Sequence, residues 1–260
     1  MRISSLAHGF FALTLICLGV IGLVNGSFTP TWGGVPKELP GREALAYACA
    51  AISLLIGIGL LLERMAPSAS RILLAWFVAW LVLFRLSHFL FTPTAVDTWW
   101  GAGDTSVMVA AAWMLYLRLA TERPLRIFPT GEKGLRIAMM LYGLALIPFG
   151  LAHFLYLDNT APLVPSWLPW HSGWAYFTGG AFIAAGLAII TGVQARLAAM
   201  LSALQIGLFT LLVWVPTVAT GHPSPFQWIE FLDSWALTAG AWVVADSWRG
   251  ITTSAATLST

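Results

Sequence analysis

The sequence predicts an all-α integral membrane protein with eight transmembrane helices, arranged as two parallel-repeat four-helix bundles with both termini in the cytoplasm. Three observations support this fold class: the composition, the spacing of apolar segments and an internal repeat. Of the 260 residues, 58% are hydrophobic and 9% are charged, whereas a soluble domain has about 25% charged residues. Because so few charges cannot cover a surface in water, lipid must be the solvent for much of it.

Eight apolar segments have about the 20 residues that a helix needs to cross the hydrocarbon core. They cover residues 7–26, 44–62, 72–91, 101–119, 135–157, 174–192, 197–218 and 231–247. Prolines and glycines gather in the connections between them, where turns are expected. The chain is therefore predicted to cross the membrane many times.

The distribution of lysine and arginine predicts the orientation in the membrane. If the N-terminus is cytoplasmic, ten of the 13 basic residues lie at cytoplasmic helix ends, two lie in the opposite loops, and Arg85 lies within the third helix. We therefore predict a multi-pass protein of the bacterial inner (cytoplasmic) membrane. The cytoplasmic charges suit anionic lipid, and no nucleic-acid partner is expected.

The second half of the sequence repeats the first without a gap, in the alignment that places Trp99 on Trp228 and Asp104 on Asp233. We call this alignment the repeat register. Four helices per unit is an even number, so the two units have the same orientation and are related by an axis along the membrane normal. The predicted parts are a first four-helix repeat (1–120), a cytoplasmic linker (121–134), a second four-helix repeat (135–250) and a polar tail (251–260).

A proline-bracketed loop precedes the second helix of the second unit. It has the sequence V-P-S-W-L-P over 164–169 and leads into W-A-Y-F-T-G-G over 174–180. This pattern resembles the DoxX-like family of four-helix membrane units, so the chain resembles two such units fused. The resemblance implies a membrane redox complex, since the family includes the small subunit of a thiosulfate:quinone oxidoreductase. In many relatives an acidic residue follows the first glycine of the second helix, but here the matching positions hold Phe182 and Ser53.

Histidines, acids and tryptophans gather on the predicted periplasmic side. Four of the five histidines and seven of the 11 acidic residues lie there. The tryptophans of this group are Trp32, Trp99, Trp100, Trp167, Trp170, Trp174 and Trp228. We interpret them as an interfacial aromatic belt; the alternative is an aromatic-lined pocket for a quinone or a lipid-like ligand.

Arg85 lies roughly 9 Å below the outer end of the third helix, at 1.5 Å per residue. A charge at that depth faces the bundle, a partner or a watery cavity. Asp104 opens the fourth helix on the same side, so we interpret the two residues as a buried ion pair. The alternatives are that Arg85 extends to the lipid headgroups or contributes to a ligand site.

The repeat also predicts one opposite-charge contact in each unit. Arg42 and His171 occupy equivalent positions before the second helix, and Asp104 and Asp233 open the fourth. The predicted pairs are Arg42–Asp104 and His171–Asp233. We interpret these carboxylates as helix-end caps favoured by the dipole, with a proton relay through His171 as the alternative.

His88 follows Arg85 by three positions and therefore shares its helix face. His153 lies at a similar depth on the fifth helix, and two histidines from different helices can ligate a haem or a metal. Neither has a histidine counterpart, because His88 falls on Thr217 and His153 falls on Val24. We therefore interpret both as packing residues and expect neither a haem nor a metal site.

Missing motifs exclude several functional classes. The two lysines, Lys37 and Lys133, lie outside the apolar segments, so no transmembrane lysine can form a retinal Schiff base. The chain has no nucleotide-binding glycine motif, no zinc-protease motif and no CxxC pair. We therefore expect no catalytic role for this chain alone.

The leading functional hypothesis is a membrane subunit or anchor of a quinone-linked redox system, with its site on the periplasmic side. Its partner would be a membrane or periplasmic redox protein, and quinone is the candidate cofactor. The alternatives are a small-molecule or lipid binder or transporter, and a structural partner of another membrane protein. The candidate ligand-binding or proton-linked residues are Arg85, His88, Asp104, His153, His171 and Asp233.

Overall fold

A computed structural model describes residues 5–120 and 124–257. In that part of the chain the regular elements are all helical and no β-strand is present, so the prediction of an all-α protein is confirmed. Residues 121–123 of the predicted linker, residues 258–260 of the predicted tail, and the basic residues Arg2 and Arg123 lie outside the described residues.

The helices are numbered in chain order. They are α1 (Leu6–Asn25), α2 (Arg42–Leu61), α3 (Ala66–Trp80), α4 (Val96–Leu119), α5 (Gly131–Leu155), α6 (Leu157–Thr160), α7 (His171–Thr191), α8 (Ala195–Phe209), α9 (Val215–Ala219) and α10 (Pro225–Thr257). The π-helical turns Leu81–Arg85 and Thr210–Trp214 extend α3 and α8, and the 3₁₀ turn Leu86–Leu90 follows the first of them. Each of the eight predicted apolar segments therefore coincides with helical structure.

Several helices extend beyond the predicted segments. α3 begins at Ala66, before the apolar run, because Pro67 lies in its first turn, where proline is favoured. α5 begins at Gly131, inside the predicted linker. α10 continues to Thr257, through most of the segment predicted as a polar tail.

Six helical segments of the described chain are long and apolar enough to cross a bilayer. They are Leu6–Asn25, Arg42–Leu61, Ala66–Leu90, Gly131–Leu155, His171–Thr191 and Ala195–Ala219. The chain is therefore a multi-pass membrane protein. α4 and α10 are not in this set, and they carry acidic side chains such as Asp104 and Asp233. Other helices cover α4 along most of its length, from Thr98 to Tyr116.

The long helices pack in neighbouring pairs. α1 packs against α2, and α5 packs against α7. A Cβ added at Gly150 of α5 would lie 2.5 Å from the Gly179 carbonyl oxygen of α7, so glycine permits the close crossing that is common between membrane helices. α3 packs against α4, and α8 packs against α10. The two halves of the chain are joined by contacts of α4 with α5 and α10, and of α10 with α1.

Polar contacts tie these helices together at the end of the bundle where α1 and α5 begin, which we call the inner end. Arg118 Nη1 lies 3.1 Å from Asp246 Oδ2 and donates to Ser5 Oγ at 3.2 Å. These contacts connect α4, α10 and the residue that caps α1. The opposite end, where α4 and α10 begin, is called the outer end and contains the cavities described next.

Candidate functional site

A polar cavity of about 790 Å³ opens at the outer end, between α3, α4, α5, α10 and the second π-helical turn. We call it the outer cavity. Its charged wall residues are Arg85, Asp97, Asp104, Asp158, Glu230 and Asp233. Three of the predicted site residues, Arg85, Asp104 and Asp233, are therefore brought together in one place. The exposed Asp97 accepts a hydrogen bond from the Tyr156 hydroxyl at 3.3 Å.

Arg85 is the last residue of the π-helical turn that extends α3. Its Nε donates to Thr105 Oγ1 at 3.1 Å. A Cβ added at Gly33 or Gly101 would lie 2.7 Å or 2.5 Å from a terminal guanidinium nitrogen, so the Arg85 side chain lies directly against both glycines. The predicted Arg85–Asp104 ion pair is not formed, because the Arg85 side chain lies across Gly101 toward Thr105, on an adjacent face of α4.

In the described wall of the outer cavity, the carboxylates outnumber the cations that face them. Asp104 is 9% exposed, and its Oδ1 has no hydrogen-bond partner. Glu230 and Asp233 are partly buried, and both interact electrostatically with Asp104. They are three positions apart on α10, so they share a helix face. A buried carboxylate without a partner is costly, so this group is suited to accept protons or to bind hydrogen-bond donors of a ligand.

A second pocket, of about 100 Å³, lies beside the outer cavity. We call it the aromatic pocket. Its ring-bearing wall residues are Trp100, Phe149, His153, Phe182, Phe209 and Trp214. Glu230 and Asp233 belong to the walls of both the aromatic pocket and the outer cavity. An aromatic chamber and a polar cavity therefore meet at two carboxylates.

His153 is buried in the wall of the aromatic pocket, with its ring packed against Phe182 and Phe209 at centroid distances of 5.6 Å and 5.7 Å. Its Nδ1 lies 2.7 Å from the Phe149 carbonyl oxygen. A carbonyl oxygen can only accept a hydrogen bond, so Nδ1 carries the hydrogen and Nε2 of the neutral ring is an acceptor. His153 also lines a crevice of about 350 Å³ between α7 and α8, which we call the lateral crevice.

The other two predicted histidines lie elsewhere. His88 Nε2 donates to the Gly34 carbonyl oxygen at 3.1 Å, and His171 is the first residue of α7. Neither lines the outer cavity or the aromatic pocket. Within residues 5–120 and 124–257, no group of three or more His, Cys, Asp or Glu side chains is placed to hold a metal ion.

The two predicted cross-helix pairs, Arg42–Asp104 and His171–Asp233, are not formed in the described part of the chain. Arg42 instead lies 5.0 Å from the centre of the Phe28 ring, in a cation–π contact. Asp104 and Asp233 both line the outer cavity, whereas Arg42 and His171 are the first residues of α2 and α7 and do not line it. The matching positions of these residues in the repeat register therefore did not predict which side chains contact each other.

The tryptophans of the outer end fall into two groups. Trp167 and Trp170 are 68% and 86% exposed, as the interfacial belt requires. Trp100 lines the aromatic pocket and Trp32 is fully buried. Exposed and buried tryptophans therefore lie side by side at this end of the bundle.

Of the wall residues of the aromatic pocket, only His153 and Asp233 were assigned to a candidate site from the sequence. Phe149, Trp214 and Glu230 are examples of those that were missed. Two of them had a detectable signal. Glu230 precedes Asp233 by three positions, and Trp214 falls on Arg85 in the repeat register. Phe149 had none, because an apolar residue in an apolar helix is not distinguished by its sequence.

No model of a known protein family, no curated protein and no solved structure matches the sequence. The function is therefore inferred from the geometry of the cavities and the chemistry of their walls.

Proposed function

We propose that the chain is a membrane subunit of a quinone-linked redox system and that it binds the quinone ring in the aromatic pocket. The observation that carries this proposal is that Glu230 and Asp233 line both the aromatic pocket and the outer cavity. A quinone has a planar apolar ring with an oxygen atom on each of two opposite edges. It needs aromatic surfaces for the ring and a few polar groups for the oxygens, and the two cavities supply both side by side.

Oxidation of a quinol also requires proton acceptors, because the molecule gives up two protons together with two electrons. Glu230 and Asp233 accept the protons, and the outer cavity returns them to water at the outer end. The two electrons pass one after the other to a one-electron carrier, a haem or an iron–sulfur cluster, that a partner protein holds and that is reoxidised between the two transfers. The chain therefore binds and deprotonates the quinol, and the partner protein oxidises it.

The lateral crevice supports a ligand that is dissolved in the bilayer. Apolar residues such as Phe177 and Leu204 line it, and His153 is common to its wall and that of the aromatic pocket. A lipid-soluble molecule can enter between α7 and α8 without crossing the headgroups, and its tail can remain in the crevice. Where the lateral crevice meets the aromatic pocket, His153 Nε2 accepts a hydrogen bond from a quinol hydroxyl.

The proposal includes two four-helix repeats of the DoxX-like type, eight membrane crossings and cytoplasmic termini in a bacterial inner membrane. The helix bounds support the repeat: α3 (Ala66–Trp80) and α8 (Ala195–Phe209) begin and end at equivalent positions of the repeat register, as do the two π-helical turns. The last residues of those turns, Arg85 and Trp214, both line the outer cavity. α4 and α10 complete the eight crossings at the junction of the repeats, where helix contacts replace part of the contact with lipid.

A second candidate function is the binding or transport of an amphipathic amine. The observation that favours it is the charge of the outer cavity, where the described wall carries five carboxylates and one guanidinium. An ammonium group would neutralise part of this excess, and its apolar part would occupy the aromatic pocket.

Native mass spectrometry of the chain, extracted gently from its own membrane, tests the first proposal. We expect a complex whose added mass equals one quinone, alone or together with a redox partner. A bare chain, or one that carries only phospholipid, would contradict the proposal. An amine of defined mass in place of the quinone would select the second candidate.

A variant separates proton transfer from binding. Glu230→Gln/Asp233→Asn keeps hydrogen-bonding groups at both positions but removes the proton acceptors. We expect it to retain the quinone, and quinol oxidation by membranes to fall by about 10²-fold, the contribution typical of general-base catalysis. Asp158→Asn, at the exposed rim of the outer cavity, is the matched control and should match the unmodified protein. Equal rates in all three would exclude Glu230 and Asp233 as proton acceptors.

A further inference from the structure

The first half of the chain holds one of its own aromatic rings in a chamber between α2 and α3. Trp32, at the end of the 3₁₀ turn Pro30–Trp32, is 1% exposed. Its ring is stacked on Phe77 at a centroid distance of 4.8 Å, and the Trp80 ring meets it edge-on at 5.2 Å. Its Nε1 donates to Ser53 Oγ at 2.8 Å. The indole is therefore enclosed and has its polar atom satisfied.

The second half has the same chamber without the indole. In the repeat register Trp32 falls on Ala161, so the large ring is replaced by a methyl group. The residues that contact Trp32 have as counterparts Phe182 (for Ser53), Ile206 (for Phe77) and Phe209 (for Trp80). These three counterparts all line the aromatic pocket. The pocket thus occupies in the second half the place that Trp32 fills in the first.

We propose that the aromatic pocket binds a planar ring of the ligand in the position that the Trp32 indole occupies in the first half. Each chain then has one ring site, because the equivalent place in the first half is permanently filled by its own side chain. The inference rests on the proposed function only in identifying this ring as a quinone head group.

The size of the pocket agrees with this occupant. A water molecule needs about 10–15 Å³ of such space, so a pocket of about 100 Å³ accommodates several heavy atoms, as a six-membered ring requires. The walls also fix the polar edges of the ring. Phe182 replaces the serine that accepts the indole hydrogen bond, so the α7 side is apolar. The ionisable groups are His153 on α5 and Glu230 and Asp233 on α10, and the hydroxyl groups are Thr160 on α6 and Ser234 on α10. The ring oxygens therefore face the α5, α6 and α10 side of the pocket.

Filling the pocket is the first test. The variant Ala161→Trp/Phe182→Ser copies the arrangement of the first half into the second, and Ser166→Trp places the same bulk at an exposed position of the same connection. The probe is decylubiquinone, titrated calorimetrically into the purified chain in lipid nanodiscs. We expect one site in the unmodified chain and in Ser166→Trp, and at least a tenfold loss of affinity in the filled variant. Unchanged affinity in a filled variant that keeps its helical circular dichroism would overturn the pocket assignment.

Opening the first half is the second test, and it does not depend on the filled variant folding. Trp32→Ala should create a second ring site, because the indole is removed and its surroundings remain. The probe is 5-fluoroindole, followed by ¹⁹F NMR, with Trp167→Ala as the control. We expect one bound probe in the unmodified chain and in the control, and two in Trp32→Ala. No bound probe in the unmodified chain, or no additional site in Trp32→Ala, would contradict the inference.

The two probes distinguish failure of the pocket from failure of the proposed function. Binding of 5-fluoroindole that the filled variant abolishes, without any binding of decylubiquinone, would support the ring pocket and refute the quinone. Binding of decylubiquinone that the filled variant leaves unchanged would support the quinone and refute this location.

Discussion

The two halves of the chain differ in what lies between their second and third helices. In the first half Trp32 is packed among Phe77, Trp80 and Ser53, so the chamber is closed. In the second half the counterparts of these three residues line the aromatic pocket, which has wall residues in common with the outer cavity and the lateral crevice. In the proposed arrangement the first half holds its own ring in this place and the second half binds a ring of the ligand.

The charged residues differ between the halves in a related way. At the place where the first half has Arg85, the second has Trp214, and where the first has Gly101, the second has Glu230. Arg85 packs against Gly101 and donates a hydrogen bond to Thr105, whereas Glu230 lines both the aromatic pocket and the outer cavity. The first half thus supplies the cation, and the second supplies carboxylates that face the aromatic pocket.

The largest expected effect is on the closed chamber. Trp32→Ala removes a fully buried ring and should lower the free energy of unfolding by about 3–5 kcal/mol, as large-to-small core substitutions do. Chemical unfolding of the detergent-solubilised chain, followed by circular dichroism, measures it. Trp167→Ala, at a position that is 68% exposed, should change little. A loss in Trp32→Ala no greater than in this control would mean that the first chamber does not hold the fold together.

A smaller effect is expected at Ser53. Ser53→Ala leaves the buried indole N–H of Trp32 without an acceptor and should cost about 1–3 kcal/mol. Trp32→Phe in addition removes the stranded donor, so the double variant should lose less than the sum of the two single losses. The same unfolding assay measures all three variants. Strict additivity would show that the Trp32–Ser53 hydrogen bond is not formed.

The smallest effect is expected at the Arg85 contact. Thr105→Val removes the acceptor of the Arg85 Nε hydrogen bond and should cost about 0.5–1.5 kcal/mol, because the guanidinium can still reach water in the outer cavity. Asp104→Asn should leave stability unchanged or raise it, because this carboxylate forms no ion pair. Thermal unfolding of the two variants, compared with the unmodified chain, measures both changes in stability. A larger loss in Asp104→Asn would restore the ion pair expected from the sequence.

The sequence was sufficient for the helices and insufficient for the contacts between them. Apolar segments of about 20 residues located every long helix, because the bilayer imposes that length directly. The same reasoning placed Arg85, Asp104 and Asp233 at one end of the bundle. It did not predict that Arg85 would donate a hydrogen bond to Thr105 instead of pairing with Asp104. That contact depends on the rotation of a π-helical turn and on the space beside Gly101. The aromatic pocket was also not predicted, because its wall is assembled from α4, α5, α7, α8 and α10, whose packing the apolar pattern does not specify.

The crystal structure of the chain grown in lipid with decylubiquinone tests the central claim most directly. We predict the quinone ring in the aromatic pocket, between Phe182 and Phe209, with an oxygen facing His153 and Trp32 unmoved in the first half. A ring bound elsewhere, such as in the groove between α3 and α5 that Phe89 and Pro148 line, would contradict the claim. So would an aromatic pocket closed by its own side chains while the quinone is bound.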